Sequence, residues 1–335
     1  MAIRIAINGF GRIGRMILRA GLADKDVEFV ALNDLVDTKT LAHLLKYDSA
    51  QGKFDGTVDH TENSLIVNSK TIPVYAEKDP TKLPWKKLEV DVVVECTGFF
   101  TRKDQAMAHI TAGAKKVLVS APCKGPEKVK HVVKGVNEHE LTKDDLVVSN
   151  ASCTTNCLAP IVKVLNDNFV VKRGFMSTTH AYTADQRLVD APHKDLRRAR
   201  AAAGNLVPTS TGAAKAVGEV IPALAGKLDG FSIRAPVPTG SIVNFVCEVE
   251  KNTNIAAIND LFKNVGQFHL KGVLEYSEEP LVSSDIVHNP HSCIFDALST
   301  QVIDGNFVNV VAWYHNEWGF SCRMIDMAKI MGKLK

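Results

Sequence analysis

A chain of 335 residues exceeds what one hydrophobic core ordinarily supports, so two domains are expected. Apolar residues make up 45% and charged residues 23%, ordinary globular usage that excludes a disordered or fibrous chain. A net charge of +3 is too small to make nucleic acid or a membrane surface the main partner, so any anion preference must be local. Seven scattered cysteines, an odd number in a chain too large to need staples, fit a reducing compartment. The start, Met1-Ala2-Ile3-Arg4-Ile5-Ala6-Ile7, lacks a basic stretch followed by a sustained apolar run, and no later run would span a bilayer. The expected location is the cytoplasm, with no membrane partner and no requirement for nucleic acid.

From Ile3 to about residue 150, short apolar runs alternate with amphipathic stretches, which predicts a parallel sheet covered by helices. Strands are expected at Ile3 to Ile7, Glu28 to Leu32, Val90 to Val94, Val117 to Val119 and Leu146 to Val148. They end at Asn8-Gly9, Asn33-Asp34, Cys96-Thr97-Gly98, Ser120-Ala121-Pro122 and Ser149-Asn150. Ligands of open parallel sheets bind beyond the carboxyl ends of the strands, so these loops should line one crevice. Beyond Ala151 longer alternating segments appear, at Phe231 to Ala235, Ser241 to Glu250, Cys293 to Leu298 and Phe307 to Tyr314, and they read as a largely antiparallel sheet. The expected class is therefore α/β. A doubly wound dinucleotide-binding domain would take residues 1–150 with 317–335, and an α+β catalytic domain residues 151–316. Ala184 to Pro208 reads as a functional loop, and Cys322 to Leu334 as a closing amphipathic helix.

Asn8-Gly9-Phe10-Gly11-Arg12-Ile13-Gly14 follows a strand and precedes a helical run. Gly9 would make the tight turn, Gly11 would let a pyrophosphate approach the backbone, and Gly14 would let helix and strand pack closely. A glycine turn between strand and helix also occurs for packing alone. Asp34, about twenty residues further on at the end of a second strand, favours the cofactor reading, because a carboxylate there accepts from the ribose hydroxyls. It would repel a 2′-phosphate, so NAD is preferred over NADP. Asp34 also suits a plain turn.

Ser149 to Leu158 passes from buried strand to helix, with Ser152 as N-cap and Cys153 in the first turn. Unpaired N–H groups there favour a thiolate and can lower a thiol from about 8.5. Cys157, one turn on, is expected to pack, and the pair lacks the further ligands of a zinc site, so no metal is expected. His180, ending a strand that starts near Phe175, is a candidate base. The residues alone leave open whether it meets Cys153.

Ala151-Ser152-Cys153-Thr154-Thr155-Asn156, Thr179-His180-Ala181-Tyr182-Thr183, Ser210-Thr211-Gly212-Ala213-Ala214-Lys215 and Trp313-Tyr314-His315-Asn316-Glu317, with the glycine loop, resemble the glyceraldehyde-3-phosphate dehydrogenase family in order along the whole chain. The resemblance implies that Cys153 attacks the aldehyde of glyceraldehyde 3-phosphate while His180 takes its proton. A hemithioacetal, then a thioester, forms, and inorganic phosphate releases 1,3-bisphosphoglycerate. It assigns Thr183 and Arg234 to the substrate phosphate, and Ser152, Thr154, Thr211, Gly212 and Arg198 to the attacking phosphate. Arg197, Arg198 and Arg200 could also make a solvated basic face or a nucleic-acid patch, but the near-neutral charge balance and the lack of interleaved aromatics favour the anion site for Arg198 alone. To NAD it assigns Asn8, Gly9, Gly11, Arg12, Ile13, Asp34, Lys78, Thr97, Ser120 and Asn316, the last on the carboxamide. The 184–208 loop would pack across a homotetramer interface.

Three residues depart from the family's habit: His315 for aspartate, Phe320 for tyrosine and Lys78 for arginine. Ala191-Pro192, where NAD-preferring relatives often carry leucine before the proline, leaves room for some NADP use. Alternatives are an erythrose-4-phosphate dehydrogenase, in which water accepts the acyl group, and a noncatalytic NAD-binding or RNA-binding protein on the same fold.

Overall fold

The computed structural model, which describes residues 2–334, opens with β1 (Ile3–Asn8), α1 (Arg12–Gly21), β2 (Val27–Asn33) and α2 (Thr38–Lys46). A meander follows, β3 (Val58–Thr61), β4 (Ser64–Val67) and β5 (Lys70–Tyr75), and the strand and helix alternation resumes with β6 (Val92–Glu95), α3 (Lys103–Thr111), β7 (Lys116–Val119), β8 (Lys130–His131) and β9 (Val147–Ser149). All belong to one nine-stranded sheet ordered β3-β4-β5-β2-β1-β6-β7-β9-β8. Every neighbouring pair from β5 to β8 is parallel, and only the meander is antiparallel. Ile5, Ala6, Ile7, Val92, Val93 and Val94 are fully buried, which is why these strands read as unbroken apolar runs rather than alternating ones. The meander was absent from the expected strands: β3 is largely polar and exposed, and β4 and β5 offer only short apolar runs, Leu65 to Val67 and Ile72 to Tyr75. Its local signal is Asn68-Ser69, both at positive φ (48° and 66°) between β4 and β5, the primed turn that matches the twist of a two-residue hairpin.

The second part contains α4 (Cys153–Phe169), β10 (Val171–Ala181), β11 (Val207–Ser210), α5 (Ala213–Val220), β12 (Leu228–Ala235), β13 (Ser241–Val249), α6 (Ile255–Gln267), β14 (Leu274–Ser277), β15 (Cys293–Ile303) and β16 (Phe307–Tyr314). Its seven-stranded sheet runs β11-β12-β10-β13-β16-β15-β14. Most pairings are antiparallel, as expected, but β10 with β12 and β14 with β15 are parallel. The parallel β10–β12 pair requires a crossover, supplied by the 184–208 loop, β11 and α5. Along β13 burial alternates residue by residue, and α4 packs on this sheet.

Two compact units emerge. One takes the chain up to Val132, Glu138–Ala151 and the stretch from Ser321, and the other Val133–Asn137 and Ser152–Phe320. The 184–208 loop has no regular element before a single turn at Ala202–Gly204. It is tied by Arg200 to Asp190 (2.7 Å) and by Arg198 to Asp185. Leu188, Val189, Leu196 and Leu206 on it are largely exposed.

The last helix, α7 (Trp318–Lys333), starts four residues before the Cys322 expected from its apolar spacing. His315 explains the early start. Its Nδ1 accepts from the backbone N–H of Trp318 (2.9 Å) and Glu317 (3.2 Å), the service an aspartate side chain gives at a helix entry. A ring nitrogen that accepts must carry a lone pair, so this imidazole is held with its proton on Nε2. Phe320, in the first turn, is buried. Removing the cap with His315→Ala is expected to lower stability in urea unfolding by about 1 kcal/mol, and His315→Asp to recover it. Equal midpoints for all three proteins would contradict the capping role.

Candidate active site

Ser152 caps α4: its backbone is extended (φ −112°) and its Oγ accepts from Thr155 N at 3.0 Å. Cys153 is thereby the first helical residue, partly open to solvent, with its Sγ 3.4 Å from His180 Nε2. His180 is nearly buried at the end of β10, and the β10–β12 register sets it opposite Arg234, whose Nη1 lies 2.6 Å from His180 Nδ1. Nδ1 is equally close to Ala181 O, at 2.6 Å. A carbonyl only accepts and a guanidinium only donates, so Nδ1 can satisfy one at a time. Arg234 Nη1 also reaches Ala181 O (3.3 Å). With Nδ1–H on the carbonyl, Nε2 faces the sulfur with a lone pair, the form a base requires.

Electrostatics correct one expectation. The helix start does not by itself depress the Cys153 thiol: burial raises it, outweighing the nearby Arg234 guanidinium and the hydrogen bonds of the helix start. Burial also pushes the His180 imidazole down to about 3, with Arg234 adding to the fall and the Ala181 carbonyl opposing it. Each charge alone is disfavoured. Formed together by moving one proton from Sγ to Nε2, they attract by roughly 5 kcal/mol at 3.4 Å and an effective dielectric near 20. That attraction offsets part of the penalty, so whatever thiolate character the sulfur has depends on the paired imidazole. Cys157 is buried and its thiol lies well above the usual range for the same reason, burial, so packing is its part.

Sequence reasoning did not single out Tyr314. Its hydroxyl is 2.9 Å from both Thr154 Oγ1 and Thr178 Oγ1, Thr178 donates to Ile242 O (3.0 Å), and its ring stands edge-on to His180 at 5.9 Å. Thr154 is buried in this cluster, so its hydroxyl is already engaged. Thr183 is half-buried, its N–H donating to Gln186 Oε1 (3.3 Å). Arg198 is bound to Asp185, to Thr209 Oγ1 (2.8 Å) and to Asp195 (3.5 Å), and it acts electrostatically on Arg234. Thr211 Oγ1 accepts from Ala213 N (3.2 Å), and Gly212 caps α5 with open space around it. Arg234 Nε is buried without a partner, a donor suited to an anion.

In the first unit the glycine loop has a distinct physical reason at each turn. Gly9 sits at φ +91° against Thr97 N, and a side chain at Gly14 would collide with the Gly9 carbonyl. A side chain at Gly11 would meet nothing within 4 Å, so the backbone there is open. Arg12 and Ile13 open α1, with Arg12 Nη1 paired to Asp48 (2.5 Å) and its backbone at the helix start. Asp34 accepts from Phe10 N (2.7 Å) and Val36 N (3.0 Å), so it shapes both loops and retains lone pairs for further donors. Lys78 is exposed, Thr97 and Ser120 half-buried, and Asn8 buried.

In the second unit Asn316 Oδ1 accepts from Gly240 N (3.1 Å) and Ser241 Oγ (3.2 Å). A backbone N–H only donates, so the end beside Gly240 and Ser241 is the oxygen and Nδ2 is the opposite, donor end of the amide. Ser241 Oγ in turn accepts from Ala181 N (3.1 Å), linking Asn316 to the end of the strand that carries His180.

Comparison with known proteins agrees along the chain. The family described as "Glyceraldehyde 3-phosphate dehydrogenase, NAD binding domain" matches residues 3–103, and "Glyceraldehyde 3-phosphate dehydrogenase, C-terminal domain" matches residues 152–316. Glyceraldehyde-3-phosphate dehydrogenase of Priestia megaterium is 54% identical over 330 residues, 98% of each chain. That of Geobacillus stearothermophilus is 54% identical over 329 residues, again 98% of each, and glyceraldehyde-3-phosphate dehydrogenase 1 of Bacillus subtilis is 53% identical over 335, 99% of each. The chain belongs to the glyceraldehyde-3-phosphate dehydrogenase family.

Proposed function

We propose that this chain oxidises D-glyceraldehyde 3-phosphate with NAD and inorganic phosphate, releasing 1,3-bisphosphoglycerate as a glycolytic enzyme. The observation that carries the reading is the Sγ to Nε2 contact at a helix start, with a guanidinium on the far side of the imidazole. The first unit is the NAD-binding part and the second the catalytic part.

Cys153 Sγ adds to the aldehyde carbon as its proton passes to His180 Nε2 and the carbonyl π electrons move to oxygen. The His180 proton then stabilises that oxygen as a hemithioacetal. NAD, when bound, would accept the hydride of the hemithioacetal C–H bond, and the hydroxyl proton returns to His180 Nε2 as the thioester C=O forms. Attack by phosphate on the thioester carbon breaks the C–S bond and returns the thiolate to its place beside His180. Arg234, with its unpartnered buried Nε, and Thr183 hold the substrate phosphate. Arg198, Ser152, Thr154, Thr211 and Gly212 serve the attacking one. Charge-assisted bonds supply the affinity. The open backbone at Gly11 next to a helix start suits a pyrophosphate, Asp34 suits ribose hydroxyls, and the Nδ2 donor of Asn316 suits a carboxamide oxygen. Lys78, Thr97 and Ser120 lie on the loops that border this cradle.

The exposed Leu188, Val189, Leu196 and Leu206 of the 184–208 loop support assembly as a homotetramer, because single exposed apolar residues are ordinary and a cluster on one loop is not. No described helix is long and apolar enough to cross a membrane, and the cytoplasm is the proposed location. The relatives' shared name favours neither an erythrose-4-phosphate dehydrogenase nor a noncatalytic binder.

NADH formation from glyceraldehyde 3-phosphate should fall to a small residue when phosphate is withheld, with an acyl phosphate as product when it is supplied. An unchanged steady rate would favour transfer to water. Cys153→Ser should lower turnover at least about 10³-fold while NAD binding persists. Substantial retained turnover would remove Cys153 from the chemistry. Asp34→Ala should erode the preference for NAD over NADP about tenfold. An unaltered ratio would show that Asp34 only shapes the turn.

A further inference from the structure

The strands bordering the cradle end in polar side chains that take no part in the chemical steps above. Asn8, the last residue of β1, is in register with Asn33 at the end of β2 and with Glu95 at the end of β6. Register partners on parallel strands point to the same face, so the three side chains stand in one row, and all are buried. They are bonded end to end. Asn33 Nδ2 donates to Glu77 O (2.9 Å) and to Asn8 Oδ1 (2.7 Å), and Glu77 N donates back to Asn33 Oδ1 (2.9 Å). Asn8 Nδ2 donates to Glu95 Oε2 (2.5 Å), and Glu95 Oε1 accepts from Thr97 N (2.7 Å) and Thr97 Oγ1 (2.5 Å).

A fourth donor comes from behind. Trp85 Nε1, which can only donate, is 3.0 Å from His109 Nδ1, so the ring proton sits on Nε2, 3.2 Å from Glu95 Oε2. Trp85 and His109 are fully buried. Glu95 therefore accepts from Asn8, His109 and, twice, Thr97, filling both oxygens from the chain's own groups.

Each link immediately precedes, or is, a residue assigned to the dinucleotide: Asn8 before Gly9, Asn33 before Asp34, Glu77 before Lys78, and Glu95 holding Thr97. We infer that Glu95 is a positioning residue for the dinucleotide, the hub of a buried hydrogen-bonded belt that sets four cofactor loops relative to one another before NAD arrives. The inference rests on the NAD-binding reading above. Glu95 makes no contact with the cofactor in this account. Its effect is preorganisation, so its loss should appear in affinity and not in the chemical step.

Glu95→Gln preserves size but turns one acceptor oxygen into an NH2 that must face a donor. In calorimetric NAD titrations of the full chain, well below the melting temperature, Kd should rise about tenfold or more, with kcat at saturating NAD within about threefold of wild type. An unchanged Kd in folded Glu95→Gln, even with a lowered melting temperature, would overturn the inference and reduce the belt to plain core structure. If Glu95→Gln does not fold, Asn33→Asp tests the other end, where loss of both Nδ2 donors should weaken NAD in the same way and an unchanged Kd would overturn the inference. Wild-type protein that fails to bind NAD would instead sink the underlying reading, and the inference with it.

Discussion

A half-buried thiol and a buried imidazole 3.4 Å apart, each disfavoured as an isolated charge, constrain everything else about the catalytic unit. Their proton can move between them without changing the net charge of the site, so the cost of burial is set against an attraction that exists only when both charges form. That attraction depends on distance, and the distance is fixed by two unrelated pieces of backbone: a capped helix start and the end of a strand. Ser152 fixes one by accepting from Thr155 N, and the parallel β10–β12 pairing fixes the other. Arg234 pulls both ways. Across from His180 it stabilises a thiolate and disfavours an imidazolium, and a bound substrate phosphate would draw off part of its field.

The two units solve complementary problems by the same means. In the second, buried hydroxyls around Tyr314 and the Ser241 to Asn316 link fix side chains near the nucleophile. In the first, the Asn33, Asn8 and Glu95 row fixes the loops of the cradle. Buried polar groups are costly unless satisfied, so networks that are fully paired hold their surroundings in one arrangement. The His315 departure follows the same logic, since an imidazole lone pair does the work of a carboxylate oxygen at the start of α7 while Asn316 beside it bonds to Gly240 and Ser241.

What the sequence made legible was local. The central parallel strands, the glycine loop and the Ser152 cap follow from apolar runs, steric need and capping preference within a few residues of each other. The 58–75 meander was missed because β3 is polar and its partners offer only short apolar runs, and the early start of α7 because a histidine is not the usual helix cap. Long-range pairing was out of reach. Nothing near His180 announces that Arg234, fifty-four residues later, will stand in register with it. Glu95 likewise looks like the end of an apolar run until the sheet order sets β6 beside β1. The family resemblance supplied residue roles that spacing could not, but it did not foretell that burial would raise the Cys153 thiol, because that depends on packing around the sulfur.

The most direct measurement is the pH dependence of Cys153 alkylation by iodoacetamide in the wild type and in His180→Asn, with the labelled residue identified by mass spectrometry. If thiolate character is a property of the pair, the wild-type rate should inflect at a markedly lower pH than the variant, whose buried thiol has lost its counter-charge and should titrate above the ordinary range near 8.5. Superimposable profiles would mean that the sulfur is activated without His180, and would contradict the account.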